Sequence, residues 1–191
     1  MYTVYMKRRY VVLLLLLLSC SSFLIAAEGQ YYSLAISDSY YLGISHFEDE
    51  IPARSSNAFN VTVGFLGYRA KTWDLATQVH LLFVSDSLPF GLYRARGFNS
   101  IGLSLQGSYA FSPFFSLSAQ VGSEVNFYNM IKEAFASFSF SIAPQFTLLE
   151  KKEYLIYATI PVSVHLRKEI TALQAGLGLR YVLFPFPRKE E

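Results

Sequence analysis

Residues 101–125 constrain this chain more than any other stretch. Their odd-numbered positions are mostly apolar: Ile101, Leu103, Leu105, Tyr109, Phe111, Phe115, Leu117, Ala119, Val121 and Val125. The even-numbered ones are small or polar: Gly102, Ser104, Gln106, Ser108, Ser116, Ser118, Gln120, Gly122 and Glu124. Alternation at period two is a strand signal, because successive side chains leave opposite faces of the pleat. Ser112-Pro113 divides the run in two, since it has turn chemistry and the proline has no ladder donor. The polar face decides the class. A soluble sheet covers that face with Lys and Glu, whereas here it is nearly all Ser, Gly and Gln, and most charges sit between the runs. Lipid on one side and a narrow polar lumen on the other produce that pattern.

Composition agrees. Hydrophobic residues make up 52% of the 191 and charged ones 16%, against about 25% charged in a typical soluble domain. Mean hydropathy is +0.30. Beyond the N-terminus no run of about 18 uninterrupted apolar residues exists for a spanning helix, so a crossing must be made by strands. The net charge of +2, with no Lys/Arg cluster outside the N-terminus, argues against nucleic acid.

The N-terminus reads as a signal peptide. Lys7, Arg8 and Arg9 supply the positive region, 11–18 the apolar core, and 23–27 extend it to a small-residue exit. Cleavage after Ala27 divides the chain into a signal segment, 1–27, and a mature domain, 28–191. Two alternatives stand beside it. Leu17-Leu18-Ser19-Cys20 loosely resembles the lipobox of bacterial lipoproteins, which would make Cys20 an acylated terminus, and an uncleaved anchor is the other. Ordinary cleavage leaves the mature chain without cysteine and so without a disulfide.

Eight strands are predicted, at 39–47, 58–69, 73–84, 98–111, 114–127, 134–148, 153–166 and 170–184, with 31–36 either beginning the first or preceding it. Short links (70–72, 112–113, 149–152) alternate with longer ones (48–57, 85–97, 128–133), except at 167–169. With an even strand count and a periplasmic N-terminus, the long links fall on one side, as in bacterial outer-membrane barrels. Closure is required because an open edge in lipid strands backbone donors and acceptors. Tyr68, Trp73, Tyr109, Phe111, Phe115, Phe146, Tyr154 and Tyr181 gather near the short turns. Phe47, Phe59, Phe83, Phe98, Phe127 and Phe138 gather near the loops, giving two interfacial belts.

On this pattern the mature chain resembles the small eight-stranded outer-membrane proteins of the OmpX, OmpA-domain and OmpW type. The resemblance implies an all-β, eight-stranded antiparallel transmembrane up-and-down barrel in the bacterial outer membrane. The last strand, Gly176 to Phe184, is similar to the C-terminal signal that such proteins show to the barrel-assembly machinery. It departs from it in the Pro185-Phe186-Pro187 and charged tail that follow.

An eight-stranded barrel has an interior that side chains can just fill. Gln78, Gln106, Gln120 and Gln174 are placed near mid-barrel, where they can hydrogen-bond one another. Asp74 and Arg180 are placed near the periplasmic end, and Glu124, His165 and Arg167 near the outer end, each group suited to charge-assisted hydrogen bonds. His80 also points inward, though neither it nor His46 shows a partner spacing. The interior reads as polar apart from Leu82, Leu155 and Val182, unlike the apolar channel of OmpW-like barrels. A satisfied polar plug and a narrow water path both remain open, because strands four to six turn in mainly Ser, Gly and Ala. In the loop at 85–97, Phe90, Tyr93, Arg94 and Arg96 are binding candidates for lipid headgroups, a host surface or a small ligand; the alternative is that the loop folds over the barrel mouth.

Barrel enzymes that act on lipids need a nucleophile beside a base. Ser163 and His165, with Glu169 nearby, are the best such set, and a weak one. No catalytic residue, metal site or cofactor is expected. The reading is a membrane barrel with structural or surface-interacting loops, working with outer-membrane lipid and the assembly machinery. The alternatives are a narrow channel for small solutes, a lipid-modifying enzyme and a soluble periplasmic β-sandwich or lipocalin-like binder.

Overall fold

The computed structural model describes residues 29–45, 53–85, 98–128, 134–167 and 170–185. The signal segment with Cys20, the loop candidates Phe90, Tyr93, Arg94 and Arg96, and also His46, Phe47 and Glu169 lie outside the described residues.

All regular structure among the described residues is β: β1 Gln30–Ser45, β2 Ala53–Arg69, β3 Trp73–Ser85, β4 Phe98–Ala110, β5 Phe115–Tyr128, β6 Ala134–Glu150, β7 Tyr154–Thr159, β8 Val162–Leu166 and β9 Ile170–Leu183. Every pairing is antiparallel, and β1 pairs with both β2 and β9, which closes the sheet. β7 and β8 are two segments of one stave, both lying between β6 and β9. The result is a closed eight-stranded up-and-down barrel. The first stave begins nine residues before the predicted position 39, with 31–36 inside it.

The registers fix the geometry. A circuit of directly opposed residues runs Leu34, Val63, Val79, Leu103, Ser123, Phe138, Leu166, Thr171 and returns to β1 at Ile44. It comes back ten residues along from its start, and a stagger of that size requires strands well tilted from the barrel axis.

The β7/β8 break is a loss of hydrogen bonds and not of register. Gln145 faces Thr159 and Ile142 faces Val162, so no residue is inserted. Ile160 N–H donates to Pro144 O and Gly176 N–H to Pro161 O, both at 3.0 Å. Antiparallel pairs of this kind normally exchange two bonds. Neither proline has an N–H to return, so Ile160 and Gly176 each lose the ladder donor for their carbonyl.

β2 carries a true irregularity. Its register with β3 shifts between Phe65 and Tyr68, where Leu66 takes a left-handed φ of 55°. The extra residue switches the inward parity, as a β-bulge does, so that Arg69 turns in and donates to the Tyr157 hydroxyl.

The exterior is apolar. Leu34, Ile36, Val63, Ile101, Val121, Phe140 and Leu177 all stand exposed on it, and a contiguous apolar face of this kind marks an interaction or membrane surface. At the end with the short turns, a chain of ring contacts links Tyr109, Phe111, Phe115, Phe146 and Phe114. Trp73 against Tyr68 and Tyr154 against Tyr181 extend that belt. Phe59, Phe83, Phe127 and Phe138 are exposed near the loop end. Phe98 does not join them; it is 7% exposed and points into the lumen.

Candidate functional site

The lumen is built in layers, because each stave contributes alternate residues to it. At the loop end Ala58, Leu82, Val84 and Phe98 form an apolar layer with Tyr41 packed against it. At the turn end Tyr31, Ala76, Leu155, Tyr157, Val182 and Phe184 form another. Leu82, Leu155 and Val182, expected as exceptions in a polar interior, belong to these two stops. Leu82 is 1% exposed and Leu155 0%.

Beneath the loop-end stop lies a charged layer centred on one carboxylate. Glu124 Oε1 is 3.0 Å from His80 Nε2, and Oε2 is 3.2 Å from His165 Nδ1. His165 Nε2 is 2.9 Å from Gln174 Oε1, whose amide nitrogen donates to Ser39 Oγ at 2.6 Å. Both ring nitrogens of His165 are thus engaged, Nδ1 by Glu124 and Nε2 by Gln174.

His80 reaches Glu124 across one intervening strand. On β3, β4 and β5 the residues in register are His80, Gly102 and Glu124. The middle position is glycine because the His80 ring lies over it: a Cβ there would strike the ring and come within 2.7 Å of the Ser123 carbonyl oxygen. A wider fringe of Ser137, Asn126 and Ser100 continues this network toward the loop end.

A second charged layer caps the turn-end stop. Arg180 Nη2 donates to the Tyr31 hydroxyl at 3.1 Å and stands 3.8 Å from Asp74 Oδ1. Tyr31 and Ser108 each donate to Asp74 Oδ1, at 2.9 and 3.0 Å. Gln106 bonds Ser108 and accepts from Gln78, as expected for two of the four glutamines. Gln120 instead donates to Ser104 at 2.7 Å, and Gln174 belongs to the loop-end layer. Arg167 places its guanidinium 4.2 Å over the Phe135 ring.

Between the two layers is a cavity of about 80 Å³. One side of its wall is bulky, with Gln78, His80, Gln106 and Gln120; the other is small, with Ala35, Ser37, Ala143, Ser141 and Ser163. Among the described residues no cluster of three His, Cys, Asp or Glu could hold a metal ion.

No family model and no curated protein matches this chain. Solved structures do. The attachment invasion locus protein Ail of Yersinia pestis is 12% identical over 81% of this chain and 99% of its own, with a TM-score of 0.52. Neisserial surface protein A is 11% identical over 83% and 100%, with a TM-score of 0.55. The shared property is architecture. This chain has the fold of small outer-membrane β-barrels.

Proposed function

We propose that this chain is an integral outer-membrane barrel whose wall and lumen form a closed mount, and whose working parts are its loops. The observation that carries the reading is the lumen itself, which holds a buried apolar cluster and a charged network toward each end. On this reading the barrel presents loops and does not conduct. In this reading the turn end faces the periplasm, the apolar exterior contacts outer-membrane lipid, and the final strand is the segment read by the barrel-assembly machinery. An attachment role, which the name of the Yersinia protein states for that protein, fits the Phe90, Tyr93, Arg94 and Arg96 set by its chemistry: aromatic and basic groups suit an anionic or amphipathic surface.

The test replaces residues 85–97 by a Gly/Ser link in bacteria that display the barrel. Binding to epithelial monolayers and to anionic phospholipid vesicles is then compared with the parent. Loss of binding, with heat-modifiable gel mobility retained, supports the reading. Unchanged binding to both surfaces overturns the role given to this loop.

The second reading is a narrow channel for small solutes. The mid-lumen cavity favours it, since a polar space already separates the two charged layers.

A further inference from the structure

We propose that the outward face of β1 and β2 around Asp38 is a contact surface for a second copy of this chain, so that two barrels pair side by side in the membrane. Pairing of this kind rests on the proposed reading of the apolar exterior as a lipid face.

Asp38 breaks the rule that the exterior otherwise keeps. It is exposed, and it shares the outward row of β1 with Tyr32, Leu34, Ile36 and Tyr40, all of them exposed as well. Among the described residues no other Asp, Glu, Lys, Arg or His stands on the outward rows between the aromatic belts. The acid is the ninth of the sixteen residues of β1, at the middle of its stave. Its directly opposed neighbours are Phe59 on β2 and Leu177 on β9, and neither side chain can donate. Oδ1 accepts from the Ser39 N–H at 3.0 Å, which leaves most of the carboxylate's acceptor capacity unused. A charge on the lipid face of a barrel destabilises it, and an ionisable group at membrane depth calls for a partner.

The chemistry of that partner is present on the same face. Two residues along the row, Tyr40 is 54% exposed. Asn57 on β2 is directly opposed to Tyr40, and opposed side chains leave a sheet on the same side. An acceptor therefore stands beside two donors, which makes the patch self-complementary. Acyl chains offer Asp38 no donor, whereas a second copy brings a phenol and an amide to the same depth.

The symmetry agrees. Both copies insert with the same end outward, so the two-fold axis relating them runs along the membrane normal. The strands are tilted, and the tilt carries Tyr40 sideways as well as upward from Asp38. An axis beside β1 that passes between these two positions sets each carboxylate beneath the other copy's phenol. The contact is made twice, as an isologous interface requires, and it closes at two copies. Ile36, Phe59 and Leu177, all exposed around Asp38, supply apolar area to it.

The test is cross-linking of single-cysteine variants in native outer membranes. Ile36→Cys places a thiol beside the contact. Val121→Cys places one on β5, four staves away and also exposed. The parent chain, whose single cysteine is Cys20, sets the background. A membrane-permeant bismaleimide should join Ile36→Cys chains into a band of twice the barrel mass that yields peptides of this chain alone. Val121→Cys chains should stay single. Adding Tyr40→Phe or Asp38→Leu to Ile36→Cys should cut the dimer roughly tenfold or more, since each removes two symmetric hydrogen bonds to a charged acceptor. Heat-modifiable mobility should survive in all of them. Equal yields at the two cysteine positions, no dimer from Ile36→Cys, or a yield unchanged by Tyr40→Phe each overturn the pairing. So does an adduct with a different protein in place of the dimer. The two cysteine positions decide the matter even if a second-site variant fails to fold. A parent chain recovered outside the membrane fraction would instead sink the lipid-face reading, and the pairing with it.

Discussion

The two charged layers close the same lumen with different chemistry. The turn-end layer pairs Asp74 with Arg180, whose guanidinium keeps its charge at any pH a protein survives. The loop-end layer sets Glu124 between two histidines, the side chains whose ordinary titration falls between pH 5 and 8. One layer is a fixed lock. The other can shed or gain a proton when a neighbour is lost. Burial makes the distinction matter, because an ion that cannot discharge itself must keep its partner.

The largest expected effect follows from that asymmetry. Asp74→Asn strands a permanent cation among buried groups and should cost about 3–5 kcal/mol. Glu124→Gln leaves imidazoles that can become neutral, so its cost should be nearer 1–3 kcal/mol, that of unmet hydrogen bonds. Urea titration of the barrel in lipid vesicles ranks the two, and equal losses would erase the contrast. Gly102→Ala should cost about 1–3 kcal/mol by overpacking, and it should act on the loop-end layer alone. Histidine ring signals read by NMR would shift for His80 while the Arg180 side-chain signal stays in place.

The sequence made the wall readable and the lumen only partly so. Alternation in β4 and β5 marked which residues face outward because lipid and lumen demand opposite chemistry at every second position. Asp74 with Arg180 and Glu124 with His165 followed from depth along the strands. Gln174 did not, because depth counted along each strand omits the ten-residue stagger, whose displacement grows around the barrel and is greatest where β9 meets β1. His80 escaped for a related reason. Its partner lies two strands away, and the readable sign is a glycine at the register position between them. The apolar stops were missed at Tyr31, Tyr157 and Phe98, since an inward aromatic looks like a belt residue until its parity is known. Pro161 sat unnoticed in a stave whose alternation is intact, because the proline removes a bond and leaves the register alone.

The account rests most heavily on the closed lumen, and planar-bilayer recording of the purified barrel tests that directly. No discrete conductance steps should appear across a wide voltage range at neutral pH, in preparations whose gel mobility shows a folded barrel. Regular steps of uniform size from that material would contradict the account and make the channel reading the better one.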